Sequence, residues 1–197
     1  ENFAGQWLHI RAIDDAAPDA WYFPDFDELL RESMKGEMEH FVASLFFEDR
    51  SLLDLLQAEN GWVDERLASH YGINGVEGAE FQEVWLSPYQ RGGILTQSGW
   101  LMTRSYPTRT SPVKRGKWIL EHLLCSPPSP PPPGVEGLEE AADGGGTIRE
   151  QLEQHRAEPV CATCHDVMDP LGFGLEHFDG VGAYREFDGE FAVDAAD

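Results

Sequence analysis

From Phe26 to Phe47 apolar side chains recur at Phe26, Leu29, Leu30, Met34, Met38, Phe41, Val42, Leu45 and Phe46. That three-and-four spacing is one face of an α-helix and predicts a long one there. Asp49 to Gln57 and Asp64 to Tyr71 read as shorter helices, with Gly72, Gly75 and Gly78 breaking the pattern after them. Phe81 to Leu86 has the look of a short strand. Further on, Ser111-Pro112 followed by Val113 to Leu124 predicts a helix with Ser at the N-cap and Pro at the first helical position, where its missing N–H costs nothing. Trp118, Ile119, Leu123 and Leu124 would form its buried face, and Cys125, ending that face without a partner cysteine, would be a free buried thiol.

After that helix the run Pro127-Pro128-Ser129-Pro130-Pro131-Pro132-Pro133 lacks most backbone donors and predicts a stiff polyproline spacer. Gly144-Gly145-Gly146 adds a flexible joint. In Thr147-Ile148-Arg149-Glu150 the Thr and Glu stand three apart as in a capping box, so a helix should run from about Ile148 towards Arg156. The expected architecture is mainly α: a helical domain over 1–125, a Pro/Gly-rich linker over 126–146, and a further helical segment over 147–197.

Of the 197 residues 41% are hydrophobic, enough for one ordinary core or two small ones. No apolar run approaches the roughly 18 residues a bilayer span needs, and the stretch Leu52 to Leu56 is interrupted by Asp54. With 36 acidic against 14 basic side chains the formal charge is −22, which repels phosphate backbones and makes nucleic acid an improbable partner. The charge either steers a basic redox partner or simply maintains solubility, and solubility is the plainer account. The chain opens Glu1-Asn2-Phe3-Ala4, so the expectation is that an export leader has been removed or that the segment starts internally. Three cysteines, two of them in one motif, make no disulfide framework.

That motif is Cys161-Ala162-Thr163-Cys164-His165, the pattern of covalent haem c attachment. Two intervening residues set both sulfurs along one porphyrin edge, and the residue after the second Cys offers its imidazole to the iron. A zinc ribbon would need a second Cys or His pair at suitable spacing, and none exists. A thioredoxin-like pair would need a βαβ setting, whereas the flanking sequence reads as helical.

The stretch CATCHDVMDPLGFGLEHFDGVGAYR, from Cys161 to Arg185, closely resembles the haem-binding segment of planctomycete-type bacterial c-type cytochromes. ENFAGQWL, LASHYGI around His70, RGGILTQ from Arg91, TSPVKRGKWILEHLLC from Thr110 and the proline run resemble the same family in the same order, over nearly the whole chain. The resemblance implies a multidomain exported protein whose cytochrome c-like segment continues past residue 197, with one covalent haem c in the periplasm or outside the cell. Asp169-Pro170-Leu171-Gly172 also resembles the Gly-Pro-Leu type turn of many cytochromes c, which implies that the Pro170 carbonyl accepts the imidazole N–H; an ordinary Asp-Pro turn is the other reading. Arg185 is a candidate partner for a haem propionate or, more plainly, an ion pair with Asp188 or Glu186.

The sixth iron ligand is open. Met168 follows His165 by only three residues and so belongs on the same side, and a milder form of that objection applies to His155 and His177. His70 and Met102 are weak candidates from upstream, beside a ligand beyond Asp197 or an open position. The 51 residues from Thr147 are fewer than the roughly 80 a small domain favours, so the upstream domain is expected to help enclose the haem, with Trp85, Trp100, Met102, Trp118, Phe173 and Phe178 as wall candidates.

The leading functional expectation is electron transfer to a redox partner protein, within a larger exported polypeptide. A haem enzyme of peroxidase-like or other oxidoreductase type, with an open iron site, is the second. The third is a structural or binding module carrying a haem, to which Trp21-Tyr22-Phe23 would lend a binding face, although core packing is the commoner use of aromatics.

Overall fold

The computed structural model describes residues 2–130 and 146–196, so Pro131 to Pro133 and Gly144-Gly145 of the expected linker lie outside the described residues. The fold is mainly helical, and the chain divides into two compact units, Glu1–Thr110 with Phe178–Tyr184 and Ser111–His177 with Arg185–Asp197.

The first unit runs α1 (Asn2–Trp7), a 3₁₀ turn at Ile10–Ile13, α2 (Glu28–Phe47), α3 (Asp54–Gln57), β1 (Asn60–Val63), α4 (Glu65–Tyr71), β2 (Gln82–Trp85) and α5 (Ser98–Met102), with two further 3₁₀ turns before α5. Asp27 caps α2 by accepting from the Leu30 N–H at 2.7 Å, and Asp64 caps α4 through the Leu67 N–H at 2.9 Å. Leu30, Met34, Met38, Phe41 and Leu45 of α2 are buried, with Leu8, Ile13, Leu67 and Trp100 around them. Leu29 and Phe46, expected on that face, are exposed, because each stands one residue, about 100° of helix, off the buried stripe. α5 approaches closely because Gly99 has no side chain: a Cβ there would stand 2.8 Å from Ile13 Cδ1 and 2.9 Å from Met38 Sδ. β1 and β2 pair antiparallel, Asn60 opposite Trp85 and Val63 opposite Gln82.

Phe178–Tyr184 belongs to this unit although it is distant in sequence. Arg91 is the anchor: its guanidinium stacks 3.6 Å above the centroid of Tyr71 and 4.9 Å from that of Phe178, and donates to the carbonyls of Thr96 at 2.7 Å and Gly182 at 2.5 Å. Ser98 Oγ adds a bond to the Gly182 carbonyl at 3.3 Å. Gly182 is at φ 78°, a left-handed conformation, and a Cβ there would crowd Ser98.

The second unit contains α6 (Pro112–His122), α7 (Ile148–Arg156), α8 (Pro159–Phe173) and a two-residue hairpin, β3 (Phe187–Asp188) with β4 (Phe191–Ala192). Ser111 caps α6 from the N-cap with Pro112 at its start, and α7 carries the complete capping box between Thr147 and Glu150. α6 and α8 cross backbone to backbone. A Cβ on Gly116 would collide with the Met168 carbonyl, and one on Gly172 with the Pro112 carbonyl, so two glycines facing each other's helices permit the contact. α6 therefore packs with the motif helix, and the unit boundary falls at Ser111, where the sequence suggested Cys125.

Cys125 is exposed, which corrects the buried thiol expected there. The helix ends at His122, Leu124 is 57% exposed, and Cys125 adopts φ 51°, so the helical periodicity that would have turned it inward stops before reaching it. Within the unit a buried ion-pair cluster joins the ends of the segment. Arg115, fully buried, pairs with Glu176 at 3.2 Å, and Arg185 reaches the same carboxylate at 3.2 Å and Asp188 at 2.6 Å.

Candidate functional site

Cys161, Cys164 and His165 lie in α8 at helical positions i, i+3 and i+4, so the three side chains share one face. Both thiols are free and half-exposed. Pro159 at the start of α8 fits the first turn without loss of a hydrogen bond. Val160 and Val167 on the same helix are 64% and 59% exposed, an apolar surface beside the motif. At 4.0 Å the Cys164 Sγ also lies near the carbonyl of Ser129, in the described part of the proline stretch.

The imidazole of His165 is 15% exposed and its Nδ1 lies 2.9 Å from Oδ1 of Asp169, one helical turn on. Against an ionised carboxylate the Nδ1 carries the proton and donates it, which leaves Nε2 as the nitrogen with a lone pair for a metal. Asp169 is fully buried, and its Oδ2 has no hydrogen-bond partner among the described residues; the nearest cation is the Arg156 Nε at 4.0 Å. His155, from α7, meets the His165 ring edge to face with centroids 4.9 Å apart. Burial holds the His155 pKa below its ordinary value, with the neighbouring His165 acting in the same direction.

Pro170 does not accept from the imidazole. α8 runs through it to Phe173, and its carbonyl instead accepts the Gly174 N–H at 3.2 Å. An interior Pro leaves the carbonyl four residues back, on Asp166, without a helical donor, and Asp166 is exposed to water. With no turn at Pro170, the residue one turn beyond His165 is Asp169, which takes the contact. Arg185 pairs with Asp188, one of the two surface partners the sequence suggests, and also with the buried Glu176, which it does not suggest. Met168 is buried in α8 against α6.

His70 and Met102 belong to the first unit. His70 donates from Nε2 to the Val181 carbonyl at 3.0 Å, and burial holds its pKa down to about 4, so the ring stays neutral. Met102 is buried in α5. Of the wall candidates, Trp118 and Phe173 lie in the second unit, while Trp85, Trp100 and Phe178 lie in the first, with Trp85 64% exposed. The first unit also carries a cleft of about 770 Å³ lined by Tyr22, Phe23, Arg66, His70 and Asp179 among others. Trp21 and Tyr22, for which core packing was the expectation, are 87% and 58% exposed.

Among the described residues no group of three or more His, Cys, Asp and Glu side chains could hold a bare metal ion. α8 presents two half-exposed thiols and, on the same face, an imidazole whose Nδ1 is held by Asp169. Residues 91–188 match the PSCyt3 model, a protein of unknown function (DUF1588). Residues 1–73 match the PSD4 model, a protein of unknown function (DUF1592). Both are domain families associated with planctomycete cytochromes c, consistent with the resemblance read from the sequence. The PSCyt3 match runs through α6 and α8, and so includes the crossing that supports the motif helix. No curated protein and no solved structure matches the chain. Among the described residues no helix is long and apolar enough to cross a membrane.

Proposed function

We propose that this chain is the haem-bearing part of a larger exported redox protein, binding one covalent haem c and passing single electrons to a partner protein. One observation carries the reading: Cys161, Cys164 and His165 stand complete on one face of α8, with both thiols free and the imidazole oriented from behind by a buried carboxylate. Each thiol would add across one vinyl group, its sulfur bonding one carbon and its proton going to the other, so attachment itself changes no oxidation state. Nε2 of His165 would bind the iron from one side. Such a haem supplies a one-electron ferric/ferrous couple. α6, locked to α8 through Gly116 and Gly172, keeps the two thiols and the imidazole on a rigid element.

Produced with a haem-attachment system, the protein should gain the mass of one haem and keep haem staining on a denaturing gel. Replacing Cys161 and Cys164 with Ala should remove both signals. An unmodified mass from wild-type protein made under those conditions overturns the proposal.

A further inference from the structure

The His165–Asp169 pair goes beyond attachment. The Pro170 carbonyl, which the resemblance implies as the acceptor for the imidazole N–H, is used here by Gly174, and the Asp169 carboxylate meets Nδ1. The two acceptors are not equivalent. A hydrogen bond to an ionised acceptor is roughly twice as strong as one between neutral groups, and a carboxylate behind a metal-bound imidazole raises the basicity of the ligating nitrogen. Asp169 is fully buried, so water does not weaken its field at the ring.

The charges around it set the size of the effect. Arg156 faces Asp169 from α7, with Nε 4.0 Å from Oδ2, and draws some of the negative charge away from the imidazole. Asp166, exposed and 4.0 Å from the Arg156 NH1, in turn partly neutralises that arginine. His155 packs against the ring without a hydrogen bond to it. The balance leaves one carboxylate oxygen on Nδ1 and the other with no hydrogen-bond partner among the described residues.

We propose that Asp169 is a positioning residue which fixes His165 as the Nδ1–H tautomer and, through it, gives the iron a strongly donating ligand that favours the ferric state. This rests on the cytochrome reading above. The haem is then a low-potential centre, suited to giving its electron to a carrier whose ligands, such as a His/Met pair, hold a higher potential. Arg156 acts as the opposing adjuster.

The test uses the full chain in both apo and haem-loaded forms. In the apoprotein, nitrogen-15 shifts of the His165 ring should report the Nδ1–H tautomer, and Asp169→Ala should convert it towards a mixture; a wild-type ring found as the Nε2–H tautomer overturns the proposal without reference to haem. In the loaded protein, Asp169→Asn should raise the midpoint potential while covalent haem content is unchanged. Arg156→Gln should lower the potential, and Pro170→Ala should leave it unmoved. Asp169→Glu should restore the potential at least in part, which a merely structural role would not require. Unchanged potential in both Asp169→Asn and Arg156→Gln, with haem attached, sinks the positioning role and leaves the cytochrome reading standing. If Asp169→Asn does not fold, Arg156→Gln alone decides by its sign. A wild-type protein that attaches no haem removes both.

Discussion

In the first unit the buried polar groups serve one another and the backbone. Tyr71 donates to Glu37 at 2.7 Å and accepts from the Ser98 N–H at 3.0 Å, while Arg91 covers the Tyr71 ring and ties down the Gly182 carbonyl. In α8 of the second unit, buried Asp169 directs one oxygen at a largely buried histidine whose other nitrogen is not engaged by it, next to two free thiols. A buried carboxylate is thus present in both places, and in α8 it meets a histidine that shares a helix face with two free thiols. Burial alone marks structure as readily as chemistry. What separates the two regions is the company the buried carboxylate keeps: Glu37 lies with Tyr71, and Asp169 lies against His165 in the cysteine motif.

The comparison can be broken most severely at the crossing of α6 and α8. Gly172→Val should cost about 3 kcal/mol or more, because the added carbons meet the Pro112 backbone rather than a side chain that can swing aside. Urea unfolding followed by circular dichroism reads this directly, and an unchanged midpoint would mean that the helices do not need their close approach.

A smaller effect concerns the Glu37–Tyr71 pair. Burial pushes the Glu37 carboxyl up to about 8 from its ordinary value near 4.5. Between those values the folded protein retains a proton that the unfolded chain has released, so stability is fully present below about 4.5 and is lost as pH rises through about 8. His70 contributes the opposite slope: burial depresses it to about 4, and its contribution is lost as pH falls below its ordinary value near 6.5. Glu37→Gln should keep the Tyr71 hydrogen bond and flatten the decline measured between about pH 4.5 and about 8. A decline as steep as wild type assigns it to some other group. Least of all, Thr147→Ala should cost about 1 kcal/mol by deleting half of the α7 capping box, read as a modest fall in melting temperature.

What could be read in advance was local. The caps at Ser111 and Thr147 and the long helix ending at Phe47 all depend on spacings of three or four residues, and each stands where the pattern put it. The misreadings came from signals whose outcome is decided at long range. Pro170 suggested a turn by its usual local preference, but tertiary packing of α8 on α6 carries the helix through it, moving the contact to Asp169. Gly116 and Gly172 carry no visible mark of their pairing until the helices are placed together. Arg115 and Glu176, 61 residues apart, show no pattern that would join them, and neither do Arg91 and Gly182. Asp169 could have been found, since a carboxylate four residues after a histidine in a helix is a pattern on its own.

Phe178–Tyr184 sets a schedule for making the protein. Arg91 and its acceptor on Gly182 are 91 residues apart in the chain. At synthesis rates of 5–20 residues per second, roughly 5–18 s separate the appearance of the one from the other. Through that interval the first 110 residues lack a segment of their own unit, and Arg91 must keep its charge in water. The motif at Cys161 to His165 is translated inside the same interval, ahead of the segment that completes the first unit. Any handling of those cysteines that begins as they emerge therefore meets a chain in which neither unit has all its residues.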